Sequence, residues 1–169
     1  MRKIVFVIAI MLAVPMMLSA RQKEKLIVSN HSFSAQVIGL QYSYEQRLGG
    51  SFSLIGRLGM VPNGFYLYND PGEFSFSASC TPAVTLEPRF YTNVKRRISK
   101  GKSTYKNAAD FVSIKVDYLL EEDLLITPMY GIRRTYGKHW FGEFSAGAKL
   151  SAAYESILPY AQYRFGFVF

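Results

Sequence analysis

Apolar and polar residues alternate strictly along the C-terminal end of the chain. Every second residue there is aromatic, namely Tyr163, Phe165, Phe167 and Phe169. The residues between them are mostly polar or small, and Arg164 is the charged one. Because side chains on a β-strand point alternately to the two faces of a sheet, this pattern predicts a strand with one apolar and one polar face.

The longest alternating segment covers residues 74–91. One parity runs through apolar residues from Phe74 to Phe90, and the other carries Ser and Thr followed by Glu87 and Arg89. A helix with 3.6 residues per turn would mix these two sets on its faces. The segment is therefore predicted to be a strand whose opposite faces meet very different surroundings.

Shorter alternating segments predict five further strands, at residues 32–48, 51–61, 111–118, 125–136 and 140–153, and the last strand begins near residue 157. Bacterial single-chain barrels have an even number of strands, beginning at eight. We therefore expect an eighth strand at residues 24–29, joined by a turn at Asn30-His31 to the next strand. The predicted fold class is an all-β, antiparallel, up-and-down transmembrane β-barrel of eight strands.

The N-terminus has the order of a secretory signal peptide. Arg2 and Lys3 precede an apolar run at residues 4–18, and Ser19-Ala20 precede a polar stretch. We expect residues 1–20 to be removed and residues 21–169 to form one barrel domain. Removal of the two basic residues lowers the formal net charge from +8 to +6. An uncleaved anchor is the alternative.

The predicted destination is the outer membrane of a Gram-negative bacterium. The terminal Phe169 and the aromatic parity before it, Tyr163, Phe165 and Phe167, resemble the C-terminal signal that the barrel-insertion machinery recognises. That machinery is the first expected partner. A soluble, secreted β-sandwich that binds a partner remains an alternative, because its core would also bury an aromatic strand face.

With the C-terminus in the periplasm, the connections alternate between the two sides of the membrane. Residues 49–50, 92–108 and 137–138 are then periplasmic, and residues 62–73, 120–124 and 154–156 are extracellular. The loop at residues 92–108 holds six Lys or Arg residues and no acid. We expect it to contact outer-membrane lipids, among which lipopolysaccharide is the other expected partner class. The export signal argues against nucleic acid.

The segment from Glu87-Pro88-Arg89 to Lys100-Gly101-Lys102 resembles a recurring stretch in small, uncharacterised outer-membrane β-barrel proteins of Bacteroidetes-type bacteria. The resemblance covers about 20 residues and the overall plan. It implies the fold and the location, and it implies no reaction.

The polar parity predicts which side chains enter the barrel. An eight-stranded barrel is only just wide enough to be filled by side chains, and charges enclosed there must pair or stay hydrated. We expect an ion network that fills the lumen, in a protein with a structural or membrane-integrity role. A narrow pore or small-ligand transporter along the same residues is the alternative. The charged positions are Glu45, Arg47, Arg57, Glu87, Arg89, Lys115, Asp117, Arg133, Glu143, Lys149 and Arg164.

Few residues of the chain are candidates for catalysis, metal binding or disulfide formation. A lipid-modifying enzyme of the outer membrane needs a nucleophile, a base and an orienting group, and only His31 and His139 offer an imidazole base. Neither belongs to a Ser or acid motif, so we expect no enzyme activity and no catalytic residue. The lone Cys80 cannot form an internal disulfide, and two histidines without patterned acids predict no metal and no cofactor.

Overall fold

A computed structural model describes residues 26–36, 39–70, 73–120, 124–151 and 156–169, without the side chains of residues 62–79 and 156. The proposed signal peptide lies outside the described residues. In the described part of the chain, no helix is long and apolar enough to cross a membrane.

The chain forms a closed barrel of eight antiparallel strands, which confirms the predicted fold class apart from membrane insertion. Each strand pairs with its neighbour in the sequence, and β1 pairs with β8 to close the barrel. The strands are β1 Asn30–Gln36, β2 Leu40–Gly49, β3 Phe52–Asp70, β4 Glu73–Tyr91, β5 Asp110–Leu119, β6 Leu124–Tyr136, β7 Trp140–Ser151 and β8 Ser156–Val168.

The two faces of each strand have opposite environments. In β6, burial alternates from Leu125 to Arg133, with every second side chain enclosed. The same alternation runs through β5 and the described part of β4. The polar parity faces the lumen and the apolar parity faces outward, as a barrel with a wet interior requires.

The predicted first strand at residues 24–29 is wrong. Residues 26–29 are not in a strand, and residues 24 and 25 lie outside the described residues. The predicted strand at residues 32–48 is instead two strands, β1 and β2, and Asn30-His31 belong to β1 rather than to a turn. Eight strands result because one long segment bends back on itself. Gly39, with φ +101, lies in that bend and fits a backbone conformation that other residues rarely adopt.

The predicted loop at residues 62–73 is also wrong. Strands β3 and β4 are 19 residues each and remain paired up to Asp70 and Glu73. Their hairpin extends past the other strands at the end of the barrel that holds residues 39, 120 and 151, which we call the distal rim. The opposite end, which holds residues 50, 137 and 169, we call the proximal rim.

The connection between β4 and β5 carries the basic residues at the proximal rim. It begins with a short helix, α1, at Val94–Ser99, followed by a 3-10 turn at Tyr105–Asn107. Val94 is buried, whereas Lys95 and Arg96 are exposed. The helix therefore packs one apolar residue under the barrel and leaves the charges at its surface.

Candidate functional site in the barrel lumen

A cluster of buried ions occupies the centre of the lumen. Arg89 on β4 donates to both Glu143 oxygens, at 2.9 and 3.0 Å, across the barrel on β7. It also donates to Glu87 Oε1 through Nη2, at 2.6 Å, and through Nε, at 2.9 Å. One guanidinium thus ties opposite walls of the barrel together through two carboxylates.

Three further arginines surround the same carboxylates. Arg57 donates to Glu87, and Arg164 donates to Glu143. Arg133 Nη1 lies 3.6 Å from Glu45 Oε2 and 3.8 Å from Glu143 Oε2. These arginines come from β3, β6 and β8, so the cluster joins strands from several sides of the lumen.

Glu45 is held mainly by neutral donors. Its Oε1 accepts hydrogen bonds from Tyr91 OH and Ser53 Oγ, both at 2.7 Å, and Asn30 Nδ2 lies 3.4 Å from Oε2. Tyr91 lies on the polar parity of β4 but carries no charge, so sequence reasoning based on charge missed it. Its position between Phe111 and the carboxylate links the ion cluster to the apolar layer below.

The seven groups of this central network are Glu45, Arg57, Glu87, Arg89, Arg133, Glu143 and Arg164, each at most 4% exposed. Four arginines face three carboxylates, so the network carries a formal charge of +1. Buried charges are tolerated only when paired and hydrogen-bonded, and removal of one partner leaves an uncompensated charge in a region of low dielectric. The network therefore forms a partition of paired charges across the lumen.

A second polar layer lies on the distal side of the central network. Lys115 Nζ lies 2.7 Å from Asp117 Oδ2 and donates to Tyr160 OH at 2.9 Å. Tyr160 in turn donates to Gln162, which donates to Gln36. Sequence reasoning found the charged pair but missed the three neutral members, because nothing in their local pattern shows that they meet.

The remaining predicted positions lie outside these two layers. Arg47 and Lys149 are half-buried. The Nζ of Lys149 lies 5.6 Å from the centre of the Tyr160 ring. The predicted insertion-signal residues are all exposed on the outward face of β8 or at its end: Tyr163, Phe165, Phe167 and Phe169.

The proximal end of the lumen is covered by the segment that precedes β1. Ile27 is buried with Tyr91, Val94 and Phe111. Asn107 fixes this segment, because its side-chain amide accepts from Val28 N and donates to Val28 O, both at 2.8 Å. Asn107 has φ +64, which asparagine tolerates better than most residues. Leu26 and Ile27 of the predicted first strand thus belong to an apolar cap.

Arg89 is also positioned by an aromatic ring. The centre of the Phe111 ring lies 3.5 Å from Arg89 Cζ, within the range of a cation–π contact. The tip of the ring, at Cζ, is packed against Gly131, where an added Cβ would collide with it. The missing side chain at Gly131 therefore makes room for the ring that supports the central arginine.

We expect Gly131→Ala to lower the free energy of unfolding by about 1–3 kcal/mol, because the ring must move away from its place under Arg89. Gly56→Ala is the matched control, since a Cβ added there meets no described atom within 4 Å. It should change stability by less than about 0.5 kcal/mol. Urea unfolding of both variants in detergent measures the difference, and equal midpoints would contradict the proposed support.

The two histidines have no catalytic surroundings among the described contacts. His31 Nδ1 lies 2.6 Å from Tyr42 OH, and its ring stacks on Phe169. The ring of His139 stacks on Phe167, and its Nδ1 lies 3.3 Å from a backbone carbonyl. Both imidazoles therefore pack at the end of β8, within the aromatic rim. Within the described residues, no group of three or more His, Cys, Asp or Glu is placed to hold a metal ion.

No protein-family model, curated protein or solved structure matches this chain.

Proposed function

We propose that this protein is an integral β-barrel of a Gram-negative outer membrane, with a plugged lumen and a structural role in that membrane. The observation that carries the proposal is the outward face of the barrel. Between the two rims, the described outward positions of the strands carry no charged side chain. Outward-facing large apolar residues include Phe33, Leu40, Leu58, Val112, Ile114, Ile126, Tyr130, Ile132, Phe144 and Phe165.

Such a surface fits lipid better than water. Monomeric soluble proteins rarely expose a contiguous apolar patch larger than a few hundred Å². Here the apolar band continues around the barrel while the charges lie inside it. A soluble β-sandwich or water-soluble barrel would have the opposite arrangement, with the apolar faces enclosed and the ions outside.

The proximal rim has the features of a membrane boundary. Trp140, Tyr136, Tyr44 and Phe169 are exposed around it. Aromatic residues form girdles at the headgroup level of outer-membrane barrels. The charged pair on the outward side, Arg134 Nη2 and Asp110 Oδ1 at 2.6 Å, lies at this same rim. The basic loop beyond it would then meet lipid headgroups on the periplasmic side.

The contents of the lumen favour a plug over a pore. The central network crosses the barrel from wall to wall, and the apolar cap around Ile27 covers its proximal side. An ion moving along the axis would have to break hydrogen bonds between buried charges. The pore alternative is therefore the weaker proposal, and planar-bilayer recordings of the purified protein should show no steady conductance.

Membrane fractionation tests the proposal most directly. We expect the protein in the outer-membrane pellet after alkaline extraction, and we expect an unboiled sample to migrate differently from a boiled one on a gel. Recovery in the soluble periplasmic fraction would overturn the membrane proposal and favour a secreted binding module. Steady conductance of the membrane-inserted protein would instead favour the pore.

A further inference from the structure

The barrel wall is lowest at the hairpin of β1 and β2. Strand β1 has 7 residues, whereas β7 and β8 have 12 and 13. All three strands have one end at the proximal rim, so β1 stops five residues short of β7, or about 16 Å along the strand. A transmembrane strand needs about 9–11 residues to cross the hydrocarbon layer. The wall at β1 is therefore too short to cross it.

The low hairpin leaves a lateral notch in the wall. Among the described residues, the pairing of β1 with β8 ends at Gln36 and Arg164, although β8 continues to Ser156. On the other side, the pairing of β2 with β3 ends at Gln41 and Gly59, and β3 continues to Asp70. Because two strands separate β3 from β8, the notch is about 14 Å wide. We define it by residues 157–161 of β8 and by Val61 of β3, because the Met60 carbonyl accepts a hydrogen bond from Gln36 Nε2 at 3.3 Å.

The notch exposes the edges of β3 and β8. In the proposed membrane location, these edges lie within the hydrocarbon layer, where lipid would contact them. Unpaired backbone groups in the hydrocarbon layer cost several kcal/mol each unless another polar group satisfies them. An apolar acyl chain cannot do so, whereas a headgroup or the water around it can. The edge is thus complementary to the polar part of an amphiphile rather than to bulk hydrocarbon.

The lumen surface behind the notch combines an apolar and a cationic part. Tyr160 faces inward, because its hydroxyl accepts from Lys115 across the barrel. Leu158 lies two residues earlier and so shares that inner face, yet it is 55% exposed. Its cross-strand partner is the half-buried Lys149. An exposed leucine beside a lysine on the inner face offers a place for an acyl chain and for an anionic group.

We propose that the notch is a lateral entry site for a membrane lipid with an anionic phosphate headgroup. The acyl chain lies over Leu158, and the phosphate lies at the ammonium group of Lys149. The second polar layer, which contains Lys115 and Tyr160, forms the floor below them and keeps the lipid at the distal end of the lumen. This inference rests on the proposed membrane location.

Adjacent residues of β8 give a matched pair of probes. Ile157 points outward and is 72% exposed, whereas Leu158 points inward. Each is replaced by Cys in a Cys80→Ser background and labelled with bimane, and Lys138→Cys in the proximal turn provides a label in water. The proteins are reconstituted into phosphatidylcholine vesicles that contain phosphatidylglycerol with brominated acyl chains, which quench a fluorophore on contact.

We expect the labels at positions 157 and 158 both to be quenched, and the label at position 138 to be unaffected. Quenching at 157 with none at 158 would overturn the lateral entry site while leaving the membrane proposal intact. No quenching at 157 would overturn the membrane proposal, and the entry site with it.

Headgroup recognition is tested by Lys149→Met in the variant labelled at position 158. Loss of one lysine contact should raise the content of brominated phosphatidylglycerol needed for half-maximal quenching at position 158 about fivefold. Quenching at 157 should not change. If brominated phosphatidylcholine quenches the label at 158 as strongly as brominated phosphatidylglycerol, and Lys149→Met has no effect, the site does not recognise an anionic headgroup. Soluble glycerol phosphate added outside the vesicles should not reduce quenching at 158, and competition by it would assign the site to free phosphates.

Discussion

Replacing Glu143 by Gln should destabilise the barrel by about 3–5 kcal/mol, the usual cost of breaking a buried ion pair by removing one partner. Glutamine keeps the size of the side chain but removes the charge that faces three arginines. Arg89 loses its bidentate carboxylate, and Arg164 loses its carboxylate acceptor. The formal charge of the central network rises from +1 to +2. Urea unfolding in detergent or vesicles should show a much lower midpoint.

A carboxylate at the proximal rim, Asp110, provides the control that separates the effect of burial on stability from the effect of losing a charge. Asp110→Asn also removes one carboxylate from an ion pair, with Arg134, but this pair is partly exposed to solvent. Exposed pairs contribute about 0–1 kcal/mol, so the midpoint should move little. If both variants lose the same stability, the buried network is not the main support of the lumen.

Placing an arginine at Ile114 should cost about 2–4 kcal/mol in a bilayer, the penalty for a charge on the lipid face near the middle of an outer-membrane barrel. Ile114 is 49% exposed and faces outward from the centre of β5. If this face met water, arginine would be tolerated there as on an ordinary strand surface. Unfolding equilibria in phospholipid vesicles, with wild type in parallel, measure the penalty.

Ile98→Arg is the matched control. Ile98 is 50% exposed, almost the same as Ile114, but it lies on α1 beyond the proximal rim. An added arginine there joins a loop that is already basic and should change stability by less than about 0.5 kcal/mol. Equal, small effects at both positions would show that the barrel wall does not meet lipid, and the proposed function would fail.

These two experiments address different parts of the proposal. The glutamate variant tests whether the lumen is closed by a cooperative ion network, and the isoleucine variant tests what surrounds the barrel. A plugged barrel in a membrane predicts large effects from both. A soluble barrel with the same interior would show only the first.

The local sequence pattern was sufficient to predict on which face of the sheet most side chains lie. Alternation with period 2 separates Arg89 from Phe90 and Arg164 from Phe165 without knowledge of any contact, because the pleat of a strand dictates it. The even number of strands followed from the need to close the sheet. The position of the first strand did not follow, since residues 32–48 alternate through a bend at Gly39 that only the pairing with β8 reveals.

Partners across the lumen were beyond the reach of the sequence. Glu143 is 54 residues from Arg89, and no local signal distinguishes it from the other acids on the inward parity. The closed curvature of eight strands brings β4 opposite β7 and so decides which charges meet. The cap formed by Ile27 has the same origin, because a short apolar segment is buried only when Asn107 and the proximal loop hold it against the barrel.

The sequence by itself thus determined the C-terminal strand, the division into an apolar and a polar face, and which charged residues lie on the polar face. Those properties depend on the period of the strand, which is local. The tertiary structure decided the pairing of the ions, the cap at the proximal end and the low wall at β1. They depend on strand register and on the lengths of neighbouring strands, which are fixed only when the barrel closes.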